Sequence, residues 1–208
     1  MVLVKSPPSR IAFYCDTPAA AGGETSILVS GAVAARVAQE RPAFAARLAR
    51  EGLLYRRVLS EEDDPASAQG RGWKSTYAQT RDAAEAAMLA TGVHSWTWLP
   101  DGSLRTETAA LPAFLDDPRS GERVFHNALA AIYLGWNDAR NRGPDSVLFG
   151  SGAQLEEADV RAVAAIMDEL AVNIPWQKGD LMLLDNRRAM HARRPFTPPR
   201  RVLAYLCE

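Results

Sequence analysis

Apolar and polar positions along the chain fall into short apolar runs, with a few helical stretches between them. Ile11 to Cys15 is an apolar run, and the pair Gly22-Gly23 reads as a tight turn into a second run at Ile27 to Val29. Val93 to Trp98 alternates, meets the hairpin signal Asp101-Gly102, and returns through Leu104 to Thr108. Gly121 to Asn127 reads as a further strand. Leu181 to Leu184 follows a Lys-Gly-Asp turn as a buried strand would, and Arg201 to Leu206 is apolar again. Between these two, residues 186–199 are rich in Arg and Pro, have no period, and read as a loop carrying His191.

Three stretches have the helical period. Ser30 caps a helix to about Arg50, with Val33, Val37, Phe44 and Leu48 on one side and Pro42 dividing it. Thr80 caps a helix to about Thr91. Residues 156–171 place Val160, Val163, Ala164, Met167 and Leu170 on one face, with acids in the first turn. Residues 60–72, 112–118 and 143–152 read as loops, and the apolar stretch 128–140, with Tyr133 and Trp136, has no clear period. Strands with a few flanking helices predict a mainly β protein of sandwich or jelly-roll type. There is no internal repeat and no linker, so 208 residues are expected to form one domain.

Composition narrows the function. At 47% hydrophobic and 24% charged residues the chain is globular. A net charge of −1 gives no support for nucleic-acid or membrane-surface binding. No apolar run is long enough to span a bilayer, and the N-terminus is broken by Pro7-Pro8 too soon for a signal peptide. Cys15 and Cys207 lie far apart in strand-like runs and are expected as reduced thiols of a cytoplasmic protein. The acidic run Glu61 to Asp64 reads as a solvated loop, and His94 and His126 as structural histidines.

The chemistry-bearing residues cluster near the C-terminus. A histidine at a strand end can ligate a metal through one imidazole nitrogen. An arginine returning across a hairpin presents a planar fork suited to a carboxylate. Gly179-Asp180, Asp185-Asn186, His191, Pro195-Phe196 and Arg200-Arg201 in that order resemble the C-terminal segment of the iron(II)/2-oxoglutarate dioxygenases, in the taurine dioxygenase/TfdA-like branch. A second match is Phe13-Tyr14-Cys15 followed by Pro18-Ala19 and Gly22-Gly23-Glu24-Thr25. Gly72-Trp73, Gly121-Glu122 and Phe149-Gly150-Ser151-Gly152 are similar to further segments, the last without the family's acid. Within the branch the chain looks most like SyrP-like proteins of non-ribosomal peptide pathways.

The resemblance implies a double-stranded β-helix. It also implies His191 as an iron ligand, Arg201 (or, one register earlier, Arg200) on the distal carboxylate of 2-oxoglutarate, and Thr25 assisting it. The family completes its iron site with a His-x-Asp/Glu pair. The three histidine tripeptides, His94-Ser95-Trp96, His126-Asn127-Ala128 and His191-Ala192-Arg193, do not contain one. Aligning Pro7-Pro8 with the same feature of the family puts the pair just before Met1. The domain, residues 1–208, is therefore expected to be incomplete at its N-terminus, with weakened binding of Fe(II) and 2-oxoglutarate. No residue is assigned to catalysis itself, and an exposed sheet edge would favour homo-oligomers. Two functions follow from the resemblance. One is an oxygenase hydroxylating a C–H bond of a small amino-acid-like or carrier-bound substrate. The other is a non-catalytic protein binding a small carboxylate or a carrier domain on the same fold.

Overall fold

The computed structural model describes residues 8–67, 69–91 and 93–207. The stretch 1–7, on which the alignment of the missing ligand pair and the signal-peptide reading rest, lies outside the described residues. In chain order the elements are β1 (Arg10–Thr17), β2 (Ala21–Gly22), β3 (Thr25–Val29), α1 (Ser30–Glu40), α2 (Pro42–Glu51), β4 (Leu53–Leu59), α3 (Trp73–Thr76), α4 (Arg81–Thr91), β5 (Val93–Trp98), β6 (Leu104–Thr108) and β7 (Phe114–Asp116). They continue with β8 (Arg123–Phe125), α5 (Leu129–Gly135), α6 (Gly143–Ser146), β9 (Val147–Phe149), α7 (Glu157–Leu170), β10 (Val172–Ile174), β11 (Leu181–Asp185), β12 (Ala189–Arg193), β13 (Phe196–Thr197) and β14 (Arg201–Cys207).

The chain divides into two compact units. The first comprises residues 43–113 and 127–163, and its antiparallel sheet has the order β5-β6-β4-β9. Leu53, Leu59, Leu104, Val147 and Phe149 of these strands are buried. Trp73, Ala84 and Met88 close over Leu59 and Leu104. The Trp73 ring meets Trp98 edge-on at 4.9 Å, and its indole N–H donates to the Gly102 carbonyl at 3.0 Å. That bond ties the hairpin turn to the helix start, so the indole is buried without an orphaned donor.

The second unit comprises residues 8–42, 114–126 and 164–207. It holds two three-stranded antiparallel sheets, β11-β1-β14 and β10-β3-β12, the short pair β13-β2 and the hairpin β7-β8. Directly paired residues share a face of their sheet. Tyr14 pairs with Leu181 and Leu203, and Ala12 with Leu183 and Tyr205. On that face Tyr14, Leu181, Leu183, Leu203 and Tyr205 are all exposed. The other face of β1 presents Ile11 and Cys15, both buried, with Phe13 between them.

Several expectations change at the level of elements. Residues 186–199, read as loop, contain β12 and β13. Arg193 and the arginines flanking β12 mask an extended segment whose backbone pairs with β3. The stretch 143–152 contains α6 and β9, and 112–118 contains β7. Residues 128–140 contain α5, with Tyr133 buried in it. Ser30 does not cap α1: its hydroxyl donates to the Arg187 carbonyl at 3.2 Å, and Val29 occupies the cap position without a side-chain bond. Pro42 does divide the long helical stretch, because it opens α2 at the position that needs no N–H.

Candidate functional site

His191, Thr25, Arg200 and Arg201 all belong to the second unit. The register of β12 on β3 sets His191 opposite Ile27 and Arg193 opposite Thr25. His191 and Arg193, two residues apart, therefore share a side of β12. The His191 ring packs edge-on against Phe13 of β1, with centroids 5.1 Å apart. Its Nδ1 is buried and has no hydrogen-bond partner among the described residues. Burial pushes the His191 imidazole down from its usual range, so it is neutral at pH 7, the form in which imidazole ligates metals.

Thr25 is buried, and its hydroxyl oxygen accepts a bond of 2.9 Å from the Trp176 indole N–H. A threonine hydroxyl has one proton to donate. With the indole on its oxygen, that proton remains available to an acceptor such as a carboxylate. The turn before it is built for close approach. Gly23 has φ +77°, and a Cβ there would lie 2.9 Å from the Ala19 Cβ and 3.0 Å from Arg200 Cδ and Nε.

The two arginines that the sequence left as alternatives differ in surroundings. Cys15 pairs with Val202, which places Val202 on the Cys15 side of the sheet. Arg200, two residues before Val202, lies toward that side, and its Nε donates to the Gly23 carbonyl at 2.9 Å. Burial, and then the nearby Arg193 charge, push its guanidinium down from its ordinary value. Arg201 alternates to the other side. Its side chain is 68% exposed and meets the Asp16 carboxylate at 3.6 Å.

A network absent from the sequence reading holds the turn between β11 and β12. The carboxylate of Asp117 is fully buried, accepts from the Arg119 backbone N–H at 3.0 Å and forms an ion pair with Arg188 Nε at 3.4 Å. Arg119 also bonds Asp185, and Arg188 reaches Glu122 at 2.7 Å. These contacts anchor the reversal that sends β12, and His191, back along β3. Alternation of apolar residues gave no signal for it, because the contacts are polar and distant in sequence.

For a metal the described residues fall short. His191 supplies one imidazole, and among the described residues no group of three His, Cys, Asp or Glu could hold an ion. A facial triad needs three protein donors, so no chemical step is assigned to iron. For a carboxylate the residues fit: Arg200 and the Thr25 hydroxyl supply a cationic fork and a donor.

His126 follows β8 directly and is buried, and its Nε2 has no hydrogen-bond partner among the described residues. Burial, with the Arg187 charge adding to it, depresses its pKa. The unfolded chain takes up this proton near pH 6.5 while the folded chain does not. The unfolded state therefore binds more protons in that window, and stability falls as pH drops below about 6.5. Urea unfolding from pH 7.5 to 5.5 should show this loss, and His126→Gln should reduce it, with the buried His191 imidazole supplying the remainder. A wild-type profile already flat in that range would contradict the burial argument.

Comparison with known proteins gives the family. The description "Taurine catabolism dioxygenase TauD, TfdA family" matches residues 2–207. A clavaminate synthase-like protein of Arabidopsis thaliana is 42% identical over 209 residues, covering 100% of this chain and 63% of that protein. The dapdiamide synthesis protein DdaC of Enterobacter agglomerans is 23% identical over 212 residues, covering 97% of this chain and 61% of that protein. The chain thus spans a little under two thirds of the length of these relatives. Among solved structures, an alpha-ketoglutarate dependent 2,4-D dioxygenase from Burkholderia xenovorans matches with a TM-score of 0.50 at 16% identity, over 99% of this chain and 64% of that one. The mainly β architecture is the jelly-roll of these dioxygenases. No helix among the described residues is long and apolar enough to cross a membrane. By a match that runs nearly its whole length, this chain belongs to the TauD/TfdA dioxygenase family.

Proposed function

We propose that this chain supplies the cosubstrate-binding part of an iron(II)/2-oxoglutarate-dependent oxygenase that hydroxylates a C–H bond of a small amino-acid-like or carrier-bound substrate. The observation that carries this reading is the convergence of Arg200 and Thr25 at the Gly22-Gly23 turn: Arg200 bonds the Gly23 carbonyl, and Thr25 follows two residues later. The names of the relatives, one clavaminate synthase-like and one in dapdiamide synthesis, support a biosynthetic substrate of amino-acid type.

In this reading Arg200 receives the distal carboxylate of 2-oxoglutarate, and the Thr25 hydroxyl donates a second bond to it. The Trp176 indole fixes the Thr25 rotamer by occupying its oxygen. His191 contributes a neutral imidazole whose plane is held by the edge of Phe13. The cofactor of the family supplies the oxidising chemistry, while these residues bind and orient.

The test compares 2-oxoglutarate with pyruvate by isothermal titration calorimetry on the chain. Pyruvate keeps the keto-acid end and lacks the distal carboxylate. The reading expects 2-oxoglutarate to bind at least about ten-fold more tightly, the discrimination that one charge-assisted pair provides. Equal binding of the two, or binding of neither, would overturn it.

A further inference from the structure

Four arginines lie between residues 193 and 201, and they divide into two kinds. Arg194 bonds the Asp168 carboxylate at 2.6 Å, and Arg201 meets Asp16 at 3.6 Å. Arg193 and Arg200 have no carboxylate partner among the described residues. Instead both sit against one ring: the Arg193 guanidinium carbon is 5.0 Å from the Phe196 centroid and that of Arg200 is 5.6 Å. Two like charges converging on one aromatic platform repel each other. The ring offsets part of this through its negative face, and a carboxylate between them would offset more.

We propose that Arg193 is the second cation of the carboxylate cradle, so that one carboxylate group is shared between the Arg193 and Arg200 guanidiniums. This rests on the reading above, in which Arg200 receives a carboxylate, and it adds a residue that no sequence motif singles out. Position supports it. Arg193 pairs with Thr25 across β12 and β3, and it lies on the His191 side of its strand. The cradle would thus have the Thr25 hydroxyl below, Arg200 from the entrance of β14 on one flank and Arg193 from β12 on the other. Arg193 is exposed and Arg200 half-buried, and a fully ionised carboxylate between them would relieve the repulsion of the two like charges over the Phe196 ring. The ligand class is a short dicarboxylate, with one end in this cradle and the other free for the keto-acid chemistry of the family.

The experiment measures 2-oxoglutarate affinity by calorimetry for the wild-type chain, Arg193→Gln and Arg193→Lys, with intrinsic tryptophan fluorescence confirming that each is folded. The expected result is about ten-fold weaker binding in Arg193→Gln and partial recovery in Arg193→Lys, which restores the charge and not the fork. Binding within two-fold of wild type in Arg193→Gln overturns the proposal while leaving the role of Arg200 intact. No binding by the wild-type chain removes both. Should Arg193→Gln not fold, arginine modification by phenylglyoxal on the wild-type chain decides, read by peptide mass spectrometry. 2-Oxoglutarate should protect Arg193 and Arg200 together and leave the exposed Arg187 reactive. Protection confined to Arg200 overturns the sharing.

Discussion

Replacing Arg200 by Gln should weaken 2-oxoglutarate binding by about 10–100-fold, while Arg201→Gln should leave it within about two-fold. A hydrogen bond to a charged group contributes roughly 1.5–3 kcal/mol, and each 1.4 kcal/mol is about ten-fold in affinity. Arg200 is half-buried and its Nε is held by the Gly23 carbonyl, so its charged fork is pre-oriented and partly shielded from solvent. Arg201 already faces Asp16 and is largely solvated, where an ion pair contributes little. Calorimetry on both variants distinguishes them. Loss of binding in Arg201→Gln with none in Arg200→Gln would show that the two positions exchange roles when ligand enters.

That choice shows where the sequence was legible and where it was not. The order of motifs was enough to place His191, Thr25 and the arginine pair on one fold, because each motif marks a turn or strand end with its own residue chemistry. It could not decide between neighbouring arginines. The choice depends on which side of β14 faces Cys15, and that depends on pairing with β1 and on the irregularity between Cys15 and Thr17. The strand bearing His191 has the sequence of a loop for a related reason. Arginines at 193 and 194 and prolines at 195, 198 and 199 mask a segment whose extended form is fixed by β3 rather than by its own apolar pattern. Strand β4 is not legible in the sequence, because Arg56 and Arg57 interrupt an apolar run that is otherwise buried at Leu53, Tyr55 and Leu59. The amphipathic helix at 157–170 was the easiest element to see, since its period is local, and Val160, Val163 and Ile166 are buried as that period requires.

The largest stability effect is expected in the first unit. Phe149→Ala should cost about 3–5 kcal/mol, the range for truncating a fully buried aromatic side chain. The Phe149 ring is 2% exposed and lies edge-on to Phe44 at 5.9 Å, with the Arg47 guanidinium carbon 3.8 Å from its centroid. Its backbone pairs with Leu53, so the cavity would open between α2 and the sheet and could not collapse without moving β9. Phe149→Leu, which keeps most of the volume, should cost under about 1.5 kcal/mol. Urea unfolding of the two variants measures the difference. Equal losses would mean that the ring's contacts, rather than the volume it fills, set the cost.

The exposed apolar face of the β11-β1-β14 sheet bears on how β14 finds its alignment. Strands normally resist slipping by one residue because the slip moves apolar side chains into water. In β14 the run Val202 to Leu206 is apolar at every position, and Leu203, Tyr205 and Leu206 are already exposed. A slip would therefore forfeit little burial, and hydrophobic patterning cannot hold this strand in place. What distinguishes the native alignment is at its entrance: Arg200 bonds the Gly23 carbonyl, and Arg201 meets Asp16. A one-residue shift would carry Arg201 into the cradle and Arg200 out of it. The residue proposed to hold the carboxylate is thus also the one that tells the strand where to begin, so a ligand on Arg200 would help to enforce the fold around it.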